Sequence, residues 1–148
     1  MEKAEQREVL QLALDSGEHL IAILNDILDL AKIENDSLEI DPHSFKMYDI
    51  TNPVLNTYQT LCSEKGIEFS LLNDCDASCS YKGDSVRIRQ VILNLVGNAL
   101  KFTKYGSINV TIKPLGNSLI EFAVEDSGIG IPSERLNSIF NEFEQADV

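Results

Sequence analysis

An apolar stripe at helical spacing occupies the first quarter of the chain and limits what it can fold into. Leu10, Ala13/Leu14, Gly17, Leu20/Ile21, Leu24, Ile27/Leu28 and Ala31 recur at steps of three and four. This spacing predicts one amphipathic helix from about Ala4 to Asn35. At 1.5 Å per residue it extends about 48 Å, too long to lie on a small core. An exposed Leu and Ile stripe of that length needs another helix to cover it. Gly17 is the weak point, costing about 1 kcal/mol inside a helix, and a break at Asp15-Ser16-Gly17 is the alternative. Pro42 ends the segment, so residues 1–41 and 42–148 are expected as separate domains.

The whole chain has 148 residues, 43% of them apolar and 24% charged, which suits an ordered domain with an appended element. Lys and Arg number 12 against 24 Asp and Glu, a net charge of -12. Phosphate contacts need a basic surface, so no nucleic-acid partner is expected. No apolar run approaches a bilayer span and no signal-peptide layout opens the chain, so no membrane contact is expected in this segment. Cys62, Cys75 and Cys79 are too few for a disulfide framework and lack a nearby histidine for zinc. They read as small, mostly buried thiols in a reducing cytoplasm.

After Pro42 strands and helices interleave, and the fold class is α+β. The pattern predicts a short strand near Phe45–Tyr48, a helix from about Thr51 to Glu64 closed by Gly66, and a strand at Ile67–Leu71. Tyr81-Lys82 is a further short strand. Asp84 or Ser85 then caps a helix running to about Phe102. Strands at Ser107–Lys113 and Leu119–Glu125 follow, joined by a turn over Pro114–Ser118. Pro132 opens a helix expected to continue through about Phe140.

Two features carry chemistry. On the helix from Asp84, residues Arg87, Gln90, Asn98 and Lys101 fall within about 40° of Asn94. Ile88, Ile92, Leu95, Val96 and Ala99 gather opposite, as a core face. A solvated polar face is the ordinary account of such a stripe. Amide oxygens, however, are hard ligands suited to Mg²⁺ that also holds substrate phosphates, and a lysine one turn on meets phosphate as a point charge. The second feature is Asp126-Ser127-Gly128-Ile129-Gly130-Ile131-Pro132, where glycines permit positive φ and a close ligand approach. It is not a dinucleotide loop, since a third glycine would fall at Ser133, and no Gly-Lys-Ser/Thr of a Walker loop occurs.

Taken together these stretches are specific. Arg87 to Thr103, with Asn94-Leu95-Val96-Gly97-Asn98-Ala99-Leu100-Lys101-Phe102, closely resembles the N box of sensor histidine kinases. Val124 to Pro132 resembles their G1 box, and Ile139 to Asp147 their F box, in the family's order and spacing. Ser16–Glu34 is similar to the second helix of their dimerisation and phosphotransfer hairpin, and the hybrid sensor kinases are the best likeness. The resemblance implies a Bergerat-type ATPase α/β sandwich, C-terminally incomplete, preceded by a long dimerisation helix. It implies ATP and Mg²⁺ as cofactors, with Asn98 as metal ligand and Asn94 one turn away facing metal and phosphates. Lys101 would meet phosphate, Phe102 would line the pocket, and Asp126 would accept from the adenine amino group. Gly128 and Gly130 would shape the base wall and lid hinge. Phe140 and Phe143 would anchor the lid, with an ordinary core role equally open.

Two family parts are missing. His19 is followed by Leu20-Ile21-Ala22 rather than an H-box pattern, and reads as a structural or surface residue. His43 reads as a linker residue with no acid/base partner in sequence. The Gly-rich G2 box does not follow the F box before Val148. The expected function is that of a two-component sensor kinase segment, cytoplasmic, paired as a homodimer through its first helix and meeting a response regulator receiver domain. The chain alone is expected to be inactive. A non-catalytic interaction protein pairing with a kinase or regulator is the alternative, and another ATPase of the same fold is disfavoured by the Ser16–Glu34 helix.

Overall fold

A computed structural model of the protein describes residues 2–141, with side chains from Gln6 onward. The chain divides into two units between Ile40 and Asp41. In the first, helix α1 runs Glu2–Glu34, and the alternative break at Asp15–Gly17 does not occur. Nothing lies within 4 Å of where a Cβ on Gly17 would sit, so glycine meets no packing demand there. The apolar stripe is open: Leu10, Leu14, Leu20, Leu24, Ile27 and Leu28 are between 46% and 66% exposed. At its end Asn35 Nδ2 donates to the Ala31 carbonyl at 2.8 Å and Ser37 N–H to that of Lys32 at 2.8 Å. Asp36 takes the left-handed conformation that closes many helices. Among the described residues no helix is long and apolar enough to cross a membrane.

The second unit contains β1 (His43–Phe45), α2 (Met47–Glu64), β2 (Glu68–Asn73), β3 (Tyr81–Gly83), α3 (Ser85–Phe102), β4 (Ser107–Gly116) and β5 (Leu119–Asp126). Strand β2 runs parallel to β4, and β4 antiparallel to β5, in a three-stranded sheet; β1 and β3 form a separate antiparallel pair. On β4, Ile108, Val110 and Ile112 are fully buried in alternation, the period of a half-covered strand. Helices α2 and α3 supply Ile50, Val54, Cys62, Ile92, Val96 and Ala99 to the same interior. Tyr58 on α2 donates its hydroxyl to the Leu93 carbonyl of α3 at 3.3 Å. Cys62 and Cys75 are buried, Cys79 is exposed, and all three are free thiols.

Several boundaries differ from the sequence pattern. Helix α2 starts at Met47, ahead of the expected Thr51, and carries Pro53 in its interior. Burial of Met47, Ile50 and Val54 on one face, with Lys46 N–H bonded to the Asp49 carboxylate at 3.0 Å, outweighs the missing proline donor. Strand β1 accordingly lies earlier than Phe45–Tyr48. The hairpin turn shrinks to Asn117-Ser118, both at positive φ (51° and 63°), the two-residue geometry whose twist matches its strands. Strand β4 reaches Gly116 through a bulge after Pro114. The helix expected over Pro132–Phe140 is not formed. A single 3-10 turn at Ser133–Arg135 stands there, with turns after it. Leu136 is 49% and Phe140 88% exposed, so no buried face stabilises a short helix that propensity alone leaves marginal. The core role open to Phe140 is thereby excluded, and Phe143 lies outside the described residues.

Candidate functional site

Helix α3 is fixed at its first turn by a polar knot. The Asp84 carboxylate accepts from Arg87 N–H at 3.1 Å and from Asp41 N–H at 3.1 Å. These backbone donors, Arg87 first, hold its pKa below the usual carboxylate range. His43 is more than a linker residue: Nε2 lies 2.7 Å from Ser85 Oγ and Nδ1 3.0 Å from the Asp41 carbonyl. Ser85 lies 42 positions from His43, which is why sequence reading missed the contact.

Beyond the first turn the two-faced pattern holds with one correction. Ile92, Val96 and Ala99 are buried and Ile88 packs against the core, but Leu95 is 42% exposed. Leu95 sits about 100° from Asn94 on the helical wheel, at the edge of the apolar face, and no element covers that edge. Asn94, Asn98 and Lys101 point outward. Arg87 and Gln90 engage each other, Nη1 to Oε1 at 3.1 Å. Lys101 Nζ stands 5.1 Å from the centroid of the Phe102 ring, a cation–π distance. Neither Asn94 nor Asn98 makes a side-chain hydrogen bond to any described residue, leaving both amide oxygens available. No cluster of three His, Cys, Asp or Glu able to hold a metal occurs among the described residues. The amide oxygens of Asn94 and Asn98 are hard donors of the kind a Mg²⁺ accepts when phosphates and water complete its shell.

The C-terminal end of α3 abuts the glycine loop. Ile129 N–H donates to the Phe102 carbonyl at 3.3 Å. A Cβ on Gly128 would lie 2.6 Å from that carbonyl oxygen and 2.7 Å from Asp126 Oδ1. Gly128 is thus required by the approach of α3 itself, rather than by a positive φ. Gly130, at φ 70° with open space around it, serves the turn. Asp126 ends β5 and its Oδ1 accepts from Gly128 N–H at 2.8 Å. Ser127, to which sequence analysis assigned no role, ties the loop to the segment after α3. Its Oγ accepts from Ser107 N–H at 2.9 Å and donates to the Tyr105 carbonyl at 3.1 Å. Gly106, at φ 107°, leaves room for the Ser127 side chain. The fold thus sets Asp126, Gly128 and Phe102 side by side, with Lys101, Asn98 and Asn94 stepping back along α3 over about 12 Å.

Comparison with known proteins bears on the fold. Residues 83–148 match the histidine kinase-, DNA gyrase B- and HSP90-like ATPase family. The autoinducer 2 sensor kinase/phosphatase LuxQ of Vibrio vulnificus is 41% identical over 97% of this chain, which spans 17% of that protein's length. Among solved structures, full-length ShkA in complex with AMPPNP is similar with a TM-score of 0.73 and 28% identity, over 88% of this chain and 28% of that one. The histidine kinase ThkA in complex with the response regulator protein TrrA is similar with a TM-score of 0.66 and 25% identity, over 86% of this chain and 38% of that one. The arrangement of sheet and helices is that of the Bergerat-type, α+β histidine kinase ATPase domain. By motif, fold and similarity residues 83–148 belong to the histidine kinase-, DNA gyrase B- and HSP90-like ATPase family, and over nearly its whole length the chain is similar to sensor histidine kinases of two-component signalling.

Proposed function

We propose that residues 41–141 carry the base and metal side of an ATP–Mg²⁺ site, serving histidine phosphorylation in a two-component phosphorelay. The observation that carries this reading is the junction of α3 with the glycine loop. It sets an acceptor-only carboxylate, Asp126, beside Phe102, at the end of the helix face that carries Asn94, Asn98 and Lys101. Asp126 takes the adenine amino group, Phe102 and Gly128 bound the base, and Gly130 gives the loop its turn. Asn98 binds Mg²⁺, with Asn94 beside it, and Lys101 pairs with phosphate. The metal offsets the triphosphate charge, which the acidic chain would otherwise repel. ShkA, with AMPPNP bound, is a structural relative.

Within the phosphorelay this segment presents nucleotide and does not supply the phosphoacceptor. His19 is exposed on α1 and followed by no H-box acid, so the chain alone does not autophosphorylate. The receiver domain of a response regulator is the partner, in keeping with the ThkA–TrrA complex, and the segment works on the cytoplasmic side of its sensor. A second reading, an interaction module acting through α1, is favoured by the exposed Leu and Ile stripe. That stripe also supports a homodimer.

Isothermal titration with ATP, with and without Mg²⁺, tests the proposal. Binding strengthened by Mg²⁺, with Asn98→Ala abolishing the strengthening and Asp126→Ala weakening both conditions, is expected. Absence of heat at millimolar ATP would retire the nucleotide reading and leave the interaction module.

A further inference from the structure

The exit from strand β5 is made by a side chain. In an antiparallel ladder, residues that form a hydrogen-bonded pair exchange two N–H···O bonds. The register sets Ile108 opposite Asp126, so Ser107 and Ser127 face each other one step further on. Ser127 N–H donates to the Ser107 carbonyl at 3.1 Å. The return bond runs to the side chain instead: Ser107 N–H donates to Ser127 Oγ at 2.9 Å. The hydroxyl in turn donates to the Tyr105 carbonyl at 3.1 Å, with the Ser107 carbonyl farther off at 3.4 Å. The serine oxygen thus takes the place of a ladder carbonyl, and the backbone turns into the glycine loop directly after Asp126. Gly106 makes this possible, since a Cβ there would collide with Ser127 Oγ and lie 3.0 Å from its Cβ. The same turn aims Asp126. Its Oδ1 accepts from Gly128 N–H at 2.8 Å, an Asx turn with Ser127 as the middle residue.

Resting on the nucleotide reading above, we propose that Ser127 is a positioning residue for purine recognition, its hydroxyl bolting the Asx turn to residues 105–107 and so aiming the Asp126 carboxylate at the exocyclic amino group. Ser127 touches no ligand and acts through its neighbour. Asp126 is exposed at the end of its strand, so its direction depends on the turn that holds one of its oxygens. Without the hydroxyl, Ser107 N–H and the Tyr105 carbonyl lose their partner, and one of the two links between Ser127 and Ser107 is gone. The turn then has room to pivot, and a carboxylate that pivots with it offers the amino group a poorer acceptor.

The test titrates ATP and the triphosphate of purine riboside, which lacks only the amino group, into the wild-type chain and its variants. The wild type is expected to bind ATP more tightly than the analogue. Ser127→Ala should bind ATP about three- to tenfold more weakly, the size of one net hydrogen bond. It should bind the analogue as the wild type does, because that base makes no bond to Asp126. Ser127→Thr keeps the hydroxyl and should restore ATP binding. Added to Asp126→Ala, Ser127→Ala should cause no further loss, since the two act as one unit. If Ser127→Ala does not fold, Ser127→Cys keeps a side chain of similar shape with a weak donor and acceptor and should show the same selective loss. A merely structural serine would weaken both triphosphates alike. That result, unchanged ATP affinity, additive losses or failure of threonine to restore binding would overturn the proposal. If the wild type binds neither triphosphate, the nucleotide reading falls and the role of Ser127 with it. If the wild type prefers ATP and Ser127→Ala keeps that preference, only the role of Ser127 falls.

Discussion

Gly128→Ala isolates the contact on which the site is built. The added Cβ would stand 2.6 Å from the Phe102 carbonyl oxygen, 3.0 Å from its carbon and 2.7 Å from Asp126 Oδ1. Two of those atoms are backbone and cannot swing away, so either the loop or the last turn of α3 must move. Forcing a methyl into a filled space costs about 1–3 kcal/mol. Replacing glycine also narrows the unfolded ensemble, which returns about 0.4–1 kcal/mol. The net expectation is a loss of about 1–2 kcal/mol. With a urea dependence of about 2 kcal/mol per molar, the midpoint falls by about 0.5–1 M. The chain has four tyrosines and no tryptophan, and Tyr58 packs in the core, so tyrosine fluorescence reports the transition. Locally, the Ile129 amide, bonded to the Phe102 carbonyl at 3.3 Å, should exchange faster than in the wild type. A variant with an unchanged midpoint and an equally protected Ile129 amide would refute the close approach of helix and loop.

Gly17→Ala has open space and an ordinary helical backbone, so it should stabilise α1 by about 1 kcal/mol; a drop in helicity by circular dichroism would contradict an unbroken helix. Leu24→Glu with Leu28→Glu places charges on the exposed stripe and should convert the proposed homodimer to monomer in light scattering. A wild-type chain already monomeric at tens of micromolar would remove that proposal. Asp84→Asn tests the knot at α3: because the folded-state pKa is depressed, the charge stabilises above the unfolded value of about 3.9 and ceases to do so as pH falls through the folded one. The gap in urea midpoint between wild type and variant should therefore be open at pH 7 and narrow as pH falls below the unfolded carboxylate value; a gap independent of pH would exclude the carboxylate charge as its source.

What could be read from the sequence follows the range of the interactions involved. Helix α3 was legible because its period, its Asp84 cap and its polar stripe are local properties, and β4 because alternate Ile, Val and Ile mark a half-buried strand. The segment after Pro132 misled for the opposite reason. Proline at a first helical position and a few apolar residues suggest a helix, but the apolar residues find no surface to bury against among the described elements. Leu95 shows the same dependence on neighbours: it is apolar at the edge of a face, and only the tertiary arrangement decides whether that edge is covered. Ser127 lay within the quoted glycine stretch but was given no role of its own; it earns its place through partners some 20 positions away.

Helix α3 also separates stability from function, and the separation can be measured. Val96 is fully buried in the cluster with Ile92, Val54 and Val110. Removing two methyl groups there by Val96→Ala should cost about 2 kcal/mol from lost burial plus the residual cavity. Asn98, two positions on, is exposed and its side chain bonds to no described residue. Asn98→Ala removes no packing and trades an amide for the best helix former, so its stability should lie within about 0.5 kcal/mol of wild type. Nucleotide response should rank the other way, with Val96→Ala keeping Mg²⁺-dependent binding below its melting temperature and Asn98→Ala losing it. A residue that holds ligand without holding the fold must point away from everything the fold needs, which is where Asn98 points. If Asn98→Ala unfolded as readily as Val96→Ala, the amide would have a structural partner, and its availability to a metal would have to be abandoned.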